Sequence, residues 1–289
     1  MMLRRTPDEN AAESAPAPAA VAEGGDYAPF ERIAGAAESG LILLCDHASN
    51  ALPAEYGDLG LPRAELERHI GYDIGAAGVT RALAARMGCP AVLTHFSRLL
   101  IDPNRGEDDP TLVMRLSDGA VVPGNRHVDD AEIARRIARF HRPYHRAIEA
   151  EIARMLAAGV VPALLSVHSF TPVWRGVPRP WHAALLWDLD PRLARPLIEA
   201  LAAPGDLVVG DNEPYDGALR NDCLFRHGTA RGLPHALIEI RQDLIAAPDG
   251  QTGWADRLAA VLPALLAQPE LHRVSAFGSR TGPVAPIFT

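Results

Sequence analysis

The chain has 289 residues, 48% hydrophobic, with a formal net charge of -8 and a pI near 5.8. That is enough chain for a sizeable core, and too acidic a balance for non-specific nucleic-acid binding. All 28 basic residues are Arg; without a Lys the chain can have neither a Schiff-base lysine nor a phosphate-binding P-loop.

Three cysteines (Cys45, Cys89, Cys223) are far apart, odd in number and without a CxxC pair. They support neither a disulfide framework nor a cysteine zinc site, and fit a reducing, cytoplasmic setting. No run approaches the ~18 apolar residues of a membrane span, so no membrane partner is expected.

Residues 1–38 are rich in Ala, Pro, Glu and Gly. Positions 1–25 read as a flexible tail and 26–38 as a segment that docks on the domain formed by residues 39–289. Leu41–Cys45 is a short apolar run bounded by turn residues, which reads as a buried strand leading into Asp46 and His47. A helical stretch runs from Pro62 to about Met87, broken around Gly71–Gly78, and residues 91–101 read as a second strand. Asp102–Pro123 is a long polar loop. The clearest helix is Asp129–Ala158, with apolar residues at three-or-four spacing and a kink expected at Pro143. Residues 160–167 form a third buried strand ending in His168. Further strands are expected near Ala183–Trp187, Leu207–Val209 and His235–Arg241, and further helices near Pro191–Ala203 and Thr252–Ala267. This alternation calls for an α/β fold with a helix-covered sheet.

Two strands end alike, in Asp46-His47-Ala48-Ser49 and Val167-His168-Ser169. Side by side at the sheet centre, they bring two imidazoles to one edge. With a carboxylate these make a three-ligand zinc site with an open position. The carboxylate is open to three readings: Asp73 in the Gly-rich break HIGYDIGA, Asp46 on the opposite strand face, or Asn50 as a poorer amide ligand. Arg98 stands in apolar surroundings and needs a carboxylate or a ligand; Asn104-Arg105 can hold a carboxylate in a fork. Glu239 lies between two isoleucines, either paired with Arg241 or held with a raised pKa as a general base. His141 and His145 are one helical turn apart but lack the Glu of HExxH. His141 reads as structural, His145 as either a support behind the site or a substrate contact, and the polar loops at 211–217 and His227–Thr229 either set selectivity or serve as turns.

In their order and spacing, CDHASNALP, GYDIGA, SRLLIDPNR, YHRAI, VHS, DNEPYDG and HGTARGLPHALIEIRQDL resemble the N-formylglutamate amidohydrolase (N-formylglutamate deformylase) family, related to zinc-dependent exopeptidases. The resemblance implies a single three-layer α/β/α domain with a central mixed, mostly parallel sheet. It implies one divalent metal, zinc, on His47, Asp73 and His168; the exopeptidase pattern has a Glu where Asn50 stands. Glu239 becomes the general base and Arg98 the group that polarises the carbonyl. Asn104 and Arg105 grip the substrate carboxylate, with His145 and His227 as further substrate-binding residues. The implied reaction is hydrolysis of N-formyl-L-glutamate to formate and glutamate. Two alternatives are a carboxypeptidase or deacylase of other N-acyl amino acids, and a non-catalytic protein that binds a small acid.

Overall fold

A computed structural model describes residues 27–287. Eleven strands occur among them: β1 (Phe30–Ile33), β2 (Leu41–Cys45), β3 (Ala91–Thr94), β4 (Leu116–Ser117), β5 (Ala120–Val121), β6 (Ala163–Phe170), β7 (Val173–Trp174), β8 (Val177–Pro178), β9 (Ala183–Leu186), β10 (Val209–Asp211) and β11 (His235–Arg241). Seven of them form one sheet in the order β1-β3-β2-β6-β11-β9-β10. The four central strands β3, β2, β6 and β11 are mutually parallel, while β1 and β9 join antiparallel. The sheet is therefore mixed and mostly parallel. The pairs β4–β5 and β7–β8 are short hairpins outside it.

The helices are α1 (Arg63–Leu66), α2 (Ala76–Met87), α3 (Asp130–Arg136), α4 (Arg142–Ala157), α5 (Ala194–Ala202), α6 (Cys223–His227) and α7 (Pro248–Leu266). Alternation along β2 sends Leu41, Leu43 and Cys45 to one face, into the core cluster that also holds Val79 and Leu83 of α2, Leu197 of α5 and Leu258 of α7. Ile42 and Leu44 go to the other face, against Tyr144, Ile148 and Ile152 of α4. Both faces are covered, which is why β2 is apolar at every position rather than alternating. Among the described residues no helix is long and apolar enough to cross a membrane.

Three local expectations change. The sheet takes in Phe30–Ile33 as its edge strand, so the docking segment contributes backbone pairing to the domain. The strand read over residues 91–101 stops at Thr94, and Phe96–Ile101 turn back on themselves. The side chains of Phe96, Leu99, Leu100 and Ile101 are buried in two separate small clusters, so burial and not extension explains the apolar run. The long helix is continuous, but a π turn at Ile137–His141 joins α3 to α4 immediately before Pro143. Proline cannot donate to a carbonyl four residues back, and widening the preceding turn accommodates the loss.

Candidate active site

The site is built on strand register. Leu44 of β2 lies opposite Ser166 of β6, which brings Asp46, two residues on, level with His168. His168 in turn pairs with Glu239 of β11. A carboxylate, an imidazole and a second carboxylate thus stand in a row across the three central strands, at the carboxyl end of the parallel sheet where such folds bind ligands. His47 follows β2 and meets the row edge-on, its ring 4.9 Å from that of His168. Asp73 comes from the Gly-rich break before α2. Its backbone N–H donates to the carbonyl of His47 at 2.9 Å, tying the two segments together.

His47 Nδ1 and His168 Nδ1 lie 3.3 and 2.8 Å from the same atom, Oδ2 of Asp73. The three residues form a buried cluster with ligand atoms close enough to share one ion. Each imidazole is fixed by its other nitrogen: Nε2 of His47 is 2.8 Å from Asp102 Oδ1, and Nε2 of His168 is 2.9 Å from Asp46 Oδ2. A carboxylate on the far nitrogen orients a ligating imidazole and raises its basicity. Asp46 is held in turn by Ser166 Oγ at 2.6 Å and the Tyr144 hydroxyl at 2.9 Å.

The electrostatics suit a cation. Burial alone would raise the carboxyls of Asp46, Asp73 and Asp102, but their imidazole and guanidinium partners outweigh it and hold all three below the usual range. Burial would lower His168, yet its bonds to Asp46 and Asp73 raise it to about 10. Three buried carboxylates converge here, with the guanidinium of Arg98 beside them and that of Arg105 acting on Asp102. Two imidazoles and a carboxylate form a donor set that fits a divalent metal. Asn50 is turned away, its amide donating to the carbonyl of Leu66 at 3.0 Å.

Glu239 is 7% exposed, and its Oε2 is buried with no hydrogen-bond partner. Burial pushes its carboxyl up to about 8. Arg241 does not pair with it; that side chain bonds Asp243 instead, at 2.8 Å. Arg98 sits in the turn after β3 and donates through Nη2 to Asp102 Oδ2 at 2.8 Å, with Nη1 3.6 Å from Asp73 Oδ1. Asp102 is a junction, since besides Arg98 and His47 it holds the backbone N–H of Asn104 at 2.9 Å. Asn104 Oδ1 accepts the backbone N–H of Cys223 at 3.2 Å. His47, Asp73, His168, Glu239, Arg98, Asn104 and Arg105 all line one cavity of about 340 Å³, large enough for a small ligand.

His145 and His227 do not line that cavity. Both are buried behind it, which removes them from direct substrate contact. Both ring nitrogens of His145 and the Nε2 of His227 are committed elsewhere, while His227 Nδ1 is buried without a partner. His145 Nε2 donates to the carbonyl of Pro103 at 3.1 Å, which leaves its Nδ1 bare to accept from His227 Nε2 at 2.8 Å. His141 Nε2 donates to the carbonyl of Arg105 at 3.0 Å. Burial keeps all three imidazoles below their ordinary pKa. This ladder of neutral rings holds the carbonyls on either side of Asn104.

A family model of N-formylglutamate amidohydrolases matches residues 39–246. The chain belongs to this family. A gene product of Agrobacterium tumefaciens is 32% identical in sequence and superposes with a TM-score of 0.78, over 85% of this chain and 97% of that one. The N-formylglutamate amidohydrolase of Ralstonia eutropha is 22% identical with a TM-score of 0.63, over 83% of this chain and 97% of that one, a likeness of fold. A search of curated proteins found no match. In this member of the N-formylglutamate amidohydrolase family, the matched span includes every residue of the row and of the metal-type cluster.

Proposed function

We propose that the protein hydrolyses the amide of an N-formyl amino acid, N-formyl-L-glutamate foremost, releasing formate and the free amino acid. The observation that carries this reading is the unpartnered Oε2 of Glu239 beside the converging donors of His47, Asp73 and His168, in a cavity that also holds Asn104 and Arg105. A divalent metal, zinc by its preference for this donor set, would lower the pKa of a water and polarise the formyl carbonyl.

The remaining roles belong to side chains. Glu239, at about 8, is within about a unit of neutrality, where a general base works well. It takes the proton of the attacking water and returns it to the leaving amine nitrogen. Arg98, oriented by Asp102, faces the cavity and donates to the oxygen on which negative charge develops. The amide of Asn104 and the guanidinium of Arg105 hold the substrate carboxylate and fix its distance from Glu239. The substrate is thus a small molecule with a free carboxylate.

Formate release from N-formyl-L-glutamate tests the reading, with protein stripped by chelator and then reloaded with zinc. N-acetyl amino acids and short peptides serve as comparators. Hydrolysis of the formyl compound that is lost on stripping and restored by zinc is expected. Turnover confined to peptides, or unaffected by chelation, would refute it.

A further inference from the structure

Five side-chain carboxyls line the cavity, those of Asp73, Asp188, Asp216, Asp222 and Glu239. Three of them are engaged by other side chains. Asp73 meets His47 and His168, and Arg280 holds Asp188 and Asp216, each at 2.9 Å. Glu239 is the base proposed above. That leaves Asp222, which is 6% exposed and has no arginine or histidine partner among the described residues.

The local structure decides which of its atoms is free. Asp222 caps α6, its Oδ1 accepting the backbone N–H of Phe225 at 2.6 Å. Oδ2 has no partner among the described residues. A buried carboxylate oxygen without a donor is costly, and burial pushes this carboxyl up to about 7. Arg105 acts on it through charge but bonds elsewhere: its Nη1 donates to the carbonyl of Asn104 at 2.7 Å, and its Nε lies 3.9 Å from Asp109. Because Asp222 lines the cavity, a ligand there can supply the missing donor.

The position of Asp222 identifies that donor. The next residue, Cys223, gives its backbone N–H to Asn104 Oδ1 at 3.2 Å, which sets Asp222 beside the carboxylate grip of Asn104 and Arg105. Its carboxyl also feels the charges of Asp46 and His168, on the side of the metal-type cluster. In an N-acyl amino acid the amide nitrogen is bonded both to the carbon that bears the carboxylate and to the acyl carbon. With the carboxylate at Asn104 and Arg105, and the acyl carbon at the donors of His47, Asp73 and His168, the N–H lies between the two, where Asp222 borders the cavity.

We infer that Asp222 accepts the amide N–H of the substrate through Oδ2 and holds the amino group as it leaves. This rests on the hydrolytic reading above. The nitrogen gains the proton that Glu239 returns before its bond to the acyl carbon breaks, and at that point it carries positive charge. A neutral hydrogen bond thus becomes a charge-assisted one along the reaction. Asp222 itself takes no proton; it supplies the counter-charge.

The test compares N-formyl-L-glutamate with its ester analogue, in which oxygen replaces the N–H, on zinc-loaded wild type, Asp222→Asn and Asp222→Ser. Asn and Ser cap a helix about as well as Asp. With its oxygen on the Phe225 N–H, the Asn side chain turns a donor to the cavity where Asp offers an acceptor. Asp222→Asn should lower kcat/KM for the amide roughly 10- to 100-fold, chiefly through kcat, and leave the ester unchanged or faster. Asp222→Ser, which keeps the cap and leaves the substrate room, should likewise slow the amide and spare the ester. Equal losses on both compounds, or unchanged amide turnover, would overturn the assignment and make Asp222 a helix cap only. If wild type does not hydrolyse the amide, the hydrolytic reading fails, and calorimetric affinities then decide Asp222 alone. Weaker binding of N-formyl-L-glutamate by Asp222→Asn, with glutarate (which lacks the N–H) unaffected, supports the contact. Equal effects on both ligands, or none on either, sink it.

Discussion

Replacing Glu239 by Gln should make the protein inactive and more stable at once. The wild-type carboxyl sits at about 8 rather than the ordinary 4.5 because it is buried with Oε2 unpaired. Its folded pKa lies above its unfolded one, so between those values the native state binds more protons and stability falls as pH rises. At pH 7 the difference amounts to about 2.5 units of pH at ~1.4 kcal/mol each, on the order of 3 kcal/mol of penalty that a neutral amide escapes. For a domain this size that corresponds to roughly 5–10 °C in melting temperature. The assay is thermal unfolding in excess chelator from pH 5 to 8, so that no cation stabilises the carboxylate. The gap between variant and wild type should widen with pH across that range. Loss of the base should lower kcat by roughly 10²- to 10⁴-fold, with metal content unchanged. Equal melting temperatures at pH 8 would refute the burial argument, and a wild-type kcat would refute the assignment of Glu239 as base.

Asp46→Asn should weaken metal binding by roughly 10- to 100-fold in a chelator competition, because His168 loses the carboxylate that orients it; equal affinity would mean that Asp46 only supports packing. Arg105→Gln should raise KM for the formyl substrate roughly 10- to 100-fold with kcat little changed, and a fall in kcat alone would argue against a binding role. The imidazoles of His141, His145 and His227 have folded pKa values lowered by burial from 6.5. Their stabilising contribution is full above pH 6.5 and is lost as pH falls below it, with a slope of up to ~1.4 kcal/mol per pH unit for each. His227→Gln keeps a donor to His145 without titrating, so its melting temperature should fall less steeply than wild type between pH 6.5 and 5; parallel curves would exclude the ladder as a source of acid lability.

Much of this was readable from the chain, and the parts that were not share a cause. His47 and His168 could be picked out because each closes an apolar run, and buried strands announce their ends. Glu239 stood out as a carboxylate between isoleucines, and His235–Arg241 matches the observed strand. Asp102 could not be paired with His47, 55 residues away, because nothing local marks a bond made across two loops. That Asp46 holds His168 follows from the β2–β6 register, which one strand's pattern does not contain. Phe96–Ile101 misled because apolar composition reports burial, and burial does not require extension. His145 and His227 carry ligand-type side chains, and only the fold shows that they bond each other, and His145 the Pro103 carbonyl, behind the cavity.

The alignment of Asp46, His168 and Glu239 across three neighbouring strands has a kinetic consequence. None of the three strands is adjacent to another in sequence, and a slip of one residue in any pairing sends that side chain to the other face of the sheet. The site therefore has no precursor in local structure. Hydrolytic competence should return during refolding only with the last, register-fixing step, after the helices have formed and well behind the recovery of overall helical signal.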